Sequence, residues 1–245
     1  MFLEGLATEN QPVTTTVCCP PETISTTIEQ VARYAGGSGY KMDAGVSKTA
    51  ALALDSAMNL IAPAVAYAVH PATGLSPEGD MLLQNGIQIA VPSAERDSQP
   101  EFLTATVCTL GSTLETACRE LVAEGEYLGA LLLDAAGVAL LETLGQEAHN
   151  LLSELAGTKQ LHCGCRFAPG HGTLPMSSQA LLFRLVDGSA IGVSLNKRMV
   201  MNPNKSVSFF TTWGRKATSR ASIHKCRVCS MFNCPFRIRT ATIQL

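Results

Sequence analysis

The segment LHCGCRFAPGHGTLP, from Leu161 to Pro175, concentrates residue types that could do chemistry. Cys163 and Cys165 are one residue apart, and thiolates are strong metal ligands. Arg166 can make a bidentate contact to a carboxylate. The Pro-Gly pair at 169–170 predicts a turn in which the glycine lets a ligand approach the backbone. Three interpretations follow: a metal site, a loop that binds a charged small molecule, or a structural turn with a surface arginine.

A second cysteine cluster lies near the end of the chain, where Cys226, Cys229 and Cys234 form the pattern C-x2-C-x4-C. Two thiolates separated by two residues can bind one metal from a tight turn, and a third can complete the face of a tetrahedron. The Cys-Pro ending favours an iron–sulfur cluster over zinc. Three unrelated thiols are the alternative. Candidates for a fourth ligand are Cys163, Cys165, Cys18, Cys19, His224 and a non-protein group.

The charge of the chain is divided unevenly along its length. All 20 acidic residues and eight of the 18 basic ones precede Gly188, which gives that part a formal charge of −12. The other ten basic residues follow and are not offset by any acid. Such asymmetry indicates that the C-terminal part faces an anion. The anion could be an acidic protein, a nucleic acid, a phosphate-bearing cofactor or the chain's own acidic part.

Length and composition are those of a globular protein, with 245 residues, 46% hydrophobic residues and 16% charged residues. The first twelve residues lack the basic and apolar regions of a signal peptide, so we expect a cytoplasmic protein. Nine cysteines in such a chain suggest metal or redox chemistry where they cluster. The stretch from Tyr127 to Gly145 is very apolar but contains Asp134 and Glu142, which predicts a buried helix rather than a membrane span.

Hydrophobic periodicity and turn residues predict a mixture of helices and strands. Ser112 and Glu115 have the spacing of a capping box at the start of one helix. The predicted helices cover about 22–34, 46–62, 112–125, 126–155 and 177–188, and the predicted strands cover 64–71, 86–92, 101–112, 190–195 and 206–213.

These elements show no regular βαβ alternation, which favours an α+β fold. We expect a mainly antiparallel, twisted sheet with flanking helices and one long central helix. The predicted division is a domain over 1–222, with residues 1–20 loosely ordered, and a basic, cysteine-rich tail over 223–245 that carries the metal or iron–sulfur site.

The order of motifs after Cys163 resembles the activation domain of vitamin B12-dependent methionine synthase, above all its stand-alone versions. That family has an Arg-x-x-x-Gly-Tyr motif, a helix, a Thr-Glu strand, a Met-x-Pro turn and a Ser-Val-Ser-Gly strand. The resemblance covers roughly residues 45–240 and is strongest over 163–213. The matching segments here are CRFAPGHGTLP, SSQALLFRLVD and IGVSLNKRMVMNPNKSVSFFTTW, and the tail with its cysteines is similar too.

The resemblance implies a fold and an activity. Members of the family bind S-adenosylmethionine and sit over a corrinoid whose cobalt has been oxidised to Co(II). An electron from a flavodoxin-like or ferredoxin-like donor gives Co(I), which the methyl group of S-adenosylmethionine then traps. Carried over by position, the residues that hold S-adenosylmethionine are Arg166, Ala168, Gly170 and His171.

This chain departs from the family pattern at three places. The tyrosine of the family is His171, the Thr-Glu pair is Asn196-Lys197, and the last glycine of Ser-Val-Ser-Gly is Phe209. His171 can still form hydrogen bonds and would add a pH dependence near neutrality.

Two functions from different classes therefore remain. The first is a corrinoid reactivation protein, a component of methionine synthase activity, which docks on a separate cobalamin-bearing methionine synthase or related corrinoid protein because no Asp-x-His-x-x-Gly motif occurs here. A cysteine-bound cluster could relay its electron, and no membrane is involved. The second is a zinc-stabilised binding protein whose basic tail contacts nucleic acid or an acidic partner, although the tail has few aromatic residues for base stacking.

Overall fold

The computed structural model describes residues 13–171, 174–217 and 233–237. These residues contain six helices, α1 (Ile28–Gly36), α2 (Ala44–Leu60), α3 (Ser93–Arg96), α4 (Thr113–Ala123), α5 (Tyr127–Thr158) and α6 (Ser178–Leu185). The same residues contain nine strands, β1 (Thr15–Cys18), β2 (Ala64–Leu75), β3 (Met81–Leu83), β4 (Gln88–Ile89), β5 (Pro100–Thr109), β6 (His162–Cys163), β7 (Ser194–Leu195), β8 (Met201–Asn202) and β9 (Ser206–Gly214). Short 3-10 turns cover Pro21–Thr23 and Gly188–Ile191.

Seven of the strands form one antiparallel sheet in the order β4-β3-β2-β5-β9-β6, and β1 also pairs with β2. The long strands β2, β5 and β9 form its centre, with β5 pairing along nearly its whole length with both neighbours. Strands β7 and β8 form a separate hairpin. The prediction of an α+β fold with an antiparallel sheet and one long helix is confirmed.

The sheet has a buried core on each of its faces. Helices α1, α2, α4 and α5 cover one face, which we call the helical face, and pack on Val65, Phe209 and Trp213. Helix α6 and the loops around it cover the other face, where they pack on Ala105 and Phe210. Successive residues of β9 alternate between the two cores, as the pleat of a strand requires.

Helix α5 is the central helix of the helical face. Thirteen of its residues are buried, among them Leu133, Leu140, Leu144 and Leu152. Over residues 130–141 it is apolar nearly all round, and α1, α2, α4 and the sheet all contact α5. By length and composition alone it could cross a membrane, but more than half of its most apolar window is buried inside the protein. The prediction of a buried central helix is therefore confirmed.

Local signals place several boundaries correctly. The Asp43 side chain accepts a hydrogen bond from the N–H of Val46 at 2.9 Å, which caps α2 at its start. Pro63 follows the end of α2, as predicted. The first helix begins later than predicted, at Ile28, where the Thr27 side chain accepts from the N–H of Gln30 and caps it. The prolines at the predicted start lie instead at a separate 3-10 turn, Pro21–Thr23.

Other predictions are wrong in detail. Within the segment 1–20 that we predicted to be loosely ordered, residues 15–18 form β1, which pairs with β2. The strands predicted over 86–92 and 190–195 shrink to two residues each. The predicted capping box is not formed, since Ser112 makes no side-chain cap and Glu115 accepts from the N–H of Lys205 at 2.6 Å. The boundary at 222–223 lies outside the described residues.

Candidate functional site

A β-bulge aims Arg166 at the helical face. Strand β6 pairs Cys163 with Trp213, and the N–H of Gly164 then donates to the carbonyl of Thr212 at 2.7 Å. The next paired residue is Phe167, which exchanges two backbone hydrogen bonds with Phe210. Residues 165 and 166 therefore oppose residue 211 alone, which is the count of a bulge. The extra residue puts Phe167 in the core beside Phe210 and leaves Arg166 on the opposite face.

On the helical face, the guanidinium of Arg166 meets two polar side chains of α5. Its Nη2 donates to Oε1 of Glu142 at 3.0 Å and to Oε1 of Gln146 at 3.3 Å. The ion pair is partly shielded from water, with side-chain exposures of 19% for Arg166 and 34% for Glu142. These two partners were missed in the sequence. The sequence offered a weak signal, because Glu142 and Gln146 are i and i+4 on the helix and so lie on one side of it.

The guanidinium of Arg166 also lies against an aromatic ring and next to a glycine of α5. Its carbon lies 5.5 Å from the ring centroid of Phe209, which is a cation–π contact. A Cβ on Gly145 of α5 would lie 2.7 Å from Nη1 of Arg166, so a larger residue there would displace the end of the arginine side chain from this position. Phe209 stands where the resembled family has glycine, and here its ring supports the arginine.

The other three predicted ligand residues follow in one turn. The N–H of His171 donates to the carbonyl of Ala168 at 3.0 Å, and the N–H of Gly170 donates to that of Leu174 at 2.9 Å. Gly170 has a φ of +82°, which favours glycine. Arg166, Ala168, Gly170 and His171 thus lie together on a single loop that leaves the bulge.

Cys163 lies on the inner side of the same segment, next to His149 of α5. Its Sγ is 3.7 Å from Nε2 of His149, and that nitrogen also bonds the carbonyl of Gly164 at 2.8 Å. Because a carbonyl only accepts, Nε2 carries the proton. Burial raises the pKa of the Cys163 thiol, although bonds to Thr211 and Ser153 oppose it. Burial also lowers the pKa of His149, so thiol and imidazole are both uncharged at neutral pH.

The predicted metal ligands are only partly described. Among the residues that the structure describes, no group of three or more His, Cys, Asp or Glu side chains is arranged to hold a metal ion. Cys226 and Cys229 lie outside those residues. Cys234 lies at the end of α1, where the N–H of Ser38 donates to the carbonyl of Pro235 at 2.7 Å. The three-cysteine site, and the role of Cys163 or Cys165 in it, stay predictions.

Two positions in the segments that resemble the family, one departure and one match, have local structural roles. Oδ1 of Asn196 accepts from the N–H groups of Arg198 and Val200, which stabilises the turn between β7 and β8. Ser208, which the pattern shares, accepts from the amide of Gln179 at 2.8 Å in the core beneath α6. Both positions therefore have structural roles in this chain.

Part of the basic C-terminal region is neutralised within the chain. Nζ of Lys205 lies 2.6 Å from Oδ1 of Asp134, and Arg215 forms an ion pair with Glu101. Within the described part of this region, Lys205 and Arg215 thus face the chain's own acids, which was one of the predicted alternatives.

The fold is similar to that of a protein of known structure. A crystal structure described as the MetH reactivation domain bound to AdoHcy superposes with a TM-score of 0.60 at 15% sequence identity. The match covers 86% of this chain and 81% of that one. No protein-family model matches the chain, and no curated protein matches it in sequence. The chain therefore has the fold of that reactivation domain.

Proposed function

We propose that this protein binds S-adenosylmethionine at the Arg166 loop and takes part in the reductive reactivation of a corrinoid protein. The observation that carries the proposal is the partly shielded pair of Arg166 and Glu142, on a fold shared with a solved reactivation domain that is bound to AdoHcy. AdoHcy is what remains of S-adenosylmethionine after it gives up its methyl group.

The charges of the pair suit an amino acid. An α-amino acid carries a carboxylate and an ammonium group a few ångströms apart. Arg166 would bind the carboxylate through its fork of N–H donors, and Glu142 would accept from the ammonium. Because the pair is 3.0 Å apart and partly shielded, both interactions would be stronger than on an open surface.

The loop next to the pair suits the rest of such a ligand. Ala168 and Gly170 have small or no side chains, so a ligand can approach their backbone. His171 is exposed at the end of the loop and can donate or accept a hydrogen bond. The chain would thus bind and orient S-adenosylmethionine, which supplies a methyl group to Co(I) on the partner when it is bound.

The partner in this proposal is a separate protein that carries cobalamin, such as a methionine synthase. An electron from a flavodoxin-like or ferredoxin-like donor reduces the Co(II) of that protein before the methyl group is transferred. We further propose that Cys226, Cys229 and Cys234 hold an iron–sulfur cluster, or zinc, with a fourth ligand that includes Cys163 or Cys165 among its candidates.

Calorimetry with S-adenosylhomocysteine tests the binding site. We expect the wild-type chain to bind and Arg166→Ala to lose at least tenfold in affinity, since one charge-assisted pair contributes roughly 1.5–3 kcal/mol. Arg198→Ala, an exposed arginine on the β7–β8 turn, is the matched control and should bind like the wild type. Equal affinity of the two variants would reject Arg166 as the ligand residue.

Metal analysis of anaerobically purified protein tests the tail. Iron with sulfide and a brown colour would support a cluster, whereas zinc would support the structural alternative. Cys226→Ser should lose the metal and Cys118→Ser should keep it. Separate Cys163→Ser and Cys165→Ser variants show whether the loop supplies a ligand, and full metal content in both would exclude it.

Reactivation itself is tested with a Co(II) corrinoid protein and a reductant. Addition of this protein with S-adenosylmethionine should increase the rate at which the methylated corrinoid forms, as seen in the visible spectrum. No change in that rate would contradict the proposed function even if S-adenosylmethionine binds.

A further inference from the structure

Glu95 is a buried carboxylate with no cationic partner among the described residues. It lies on the short helix α3 and is 1% exposed, and none of the ion pairs in the described part of the chain involves it. A buried carboxylate is costly unless hydrogen bonds replace its hydration. Its presence therefore requires an explanation.

Both oxygens of Glu95 accept hydrogen bonds from the two sides of the bulge. Oε1 accepts from the backbone N–H of Cys165 at 3.1 Å, and Oε2 accepts from the hydroxyl of Thr212 at 2.6 Å. Cys165 lies in the bulged segment, and Thr212 lies on β9 opposite Gly164, just before the bulge. The carboxylate thus connects the two strands where the regular ladder is interrupted.

The segment is shaped around that carboxylate. A Cβ on Gly164 would lie 2.7 Å from the carboxyl carbon of Glu95 and 2.7 Å from Oγ1 of Thr212. Both distances are too short for a real Cβ contact, so only glycine fits at 164 while Glu95 is in place. The glycine between Cys163 and Cys165 therefore has a steric reason.

A bulge leaves the extra residue without its ladder partner. Glu95 provides the acceptor for the N–H of Cys165, which stabilises the bulged register over the regular one. In the regular register, residue 166 would oppose Phe210 and its side chain would point away from α5. The orientation of Arg166 toward Glu142 therefore depends on the bulge.

We propose that Glu95 is a positioning residue for ligand binding: it holds the bulge that aims Arg166 at Glu142. The proposal rests on the proposed function, in which Arg166 binds the carboxylate of S-adenosylmethionine. Glu95 itself lies on the opposite face of the sheet and does not contact that ligand.

The first test is local and needs no ligand. In the full chain, amide hydrogen exchange measured by NMR should be slow at Cys165 in the wild type. It should be at least tenfold faster in Glu95→Ala, while the amide of Phe210 stays protected. Glu95→Gln keeps one acceptor oxygen and should restore most of the protection. Unchanged exchange at Cys165 in Glu95→Ala would overturn the proposal.

The second test measures coupling to Arg166 through affinity for S-adenosylhomocysteine. Glu95→Ala should weaken binding roughly tenfold in the wild type and hardly at all in an Arg166→Ala background. Thr212→Val removes the hydrogen bond to Oε2 of Glu95 and keeps a side chain of similar size, so it should weaken binding by a smaller factor. It replaces Glu95→Ala in this test if that variant does not fold. Glu101→Ala, on the neighbouring strand β5, is the matched control and should bind normally.

The two proposals fail in different ways. If the wild-type chain does not bind S-adenosylhomocysteine, the proposed function fails, and the exchange test at Cys165 still decides the role of Glu95. If the wild type binds and Glu95→Ala loses equal affinity with and without Arg166, then Glu95 acts independently of the arginine and the positioning role is wrong.

Discussion

Arg166 shows how much of a site lies in the surroundings of one side chain. Its residue type and its place beside a Pro-Gly turn predict an anion-binding role from sequence alone. Its ion-pair partner Glu142, the ring of Phe209 and the bulge that aims it were not predictable, because each depends on a pairing between distant segments. The residue type of a loop position can be read from the sequence, but the orientation and the partners of its side chain are set by the tertiary structure.

Acid should destabilise the protein through His149. Burial lowers its pKa in the folded state, so the unfolded chain binds the proton more readily. Stability is therefore full above the ordinary histidine pKa of about 6.5 and is lost as pH falls through the lower folded value. Chemical denaturation at pH 7 and pH 5 should show a smaller pH effect in His149→Gln than in the wild type. The exposed His162→Gln is the control, and an unaltered pH effect in His149→Gln would contradict this.

Ser112 and Glu115 should have unequal effects on stability. Ser112 makes no cap, so Ser112→Ala should change the free energy of unfolding by less than about 0.5 kcal/mol. Glu115 accepts the backbone N–H of Lys205, and Glu115→Ala leaves that donor unpaired at a cost of about 1–3 kcal/mol. Urea denaturation of both variants checks this. The reverse order would mean that the predicted capping box does form in solution.

Among the elements, α5 was the easiest to predict because apolar residues recur along most of its 32 residues. The short strands β4 and β7 were overpredicted, since an apolar run says nothing about whether a partner strand continues beside it. Strand β1 was missed because its polar, threonine-rich sequence is stabilised only by pairing with β2. Elements that stabilise themselves were predictable, and elements that depend on a partner were not.

Two leucines of α5 should separate burial from helix propensity. Leu140 is 0% exposed and Leu131 is 50% exposed, and both lie on the same helix. Leu140→Ala should reduce the free energy of unfolding by about 2–5 kcal/mol through lost burial and a cavity. Leu131→Ala should change it by less than about 0.5 kcal/mol. Denaturant titration measures both, and similar losses would contradict a central position for α5.

At the scale of the whole molecule, a segment late in the sequence packs against α1, which lies early in it. Phe236 lies 5.8 Å from the ring of Tyr34 on α1, and its carbonyl accepts from Nε of Arg33 at 2.7 Å. Since Cys234 is next to this contact, the docked segment fixes where one predicted metal ligand lies. This contact joins residues that are far apart in sequence, so no local sequence pattern could predict it.

Hydrogen exchange at the amide of Ser38 tests whether Phe236 holds this segment on α1. Phe236→Ala should accelerate hydrogen exchange at Ser38, whose N–H donates to Pro235, because the ring no longer holds the segment on α1. The exposed Val122→Ala on α4 should leave Ser38 unaffected. If Phe236→Ala exchanges like the wild type at Ser38, the ring does not stabilise the docked segment.

The order of the sheet also has a consequence for synthesis on the ribosome. Strand β5 is central, but its second neighbour β9 is made roughly a hundred residues later, after the whole of α5. At about 5–20 residues per second, the nascent chain waits roughly 5–20 s with one edge of β5 unpaired. Over that interval an apolar helix and an open strand edge are exposed together, which is the combination that chaperones bind and that aggregation exploits. The late arrival of β9 therefore makes the interval before its synthesis the stage at which β5 is most open to wrong pairing.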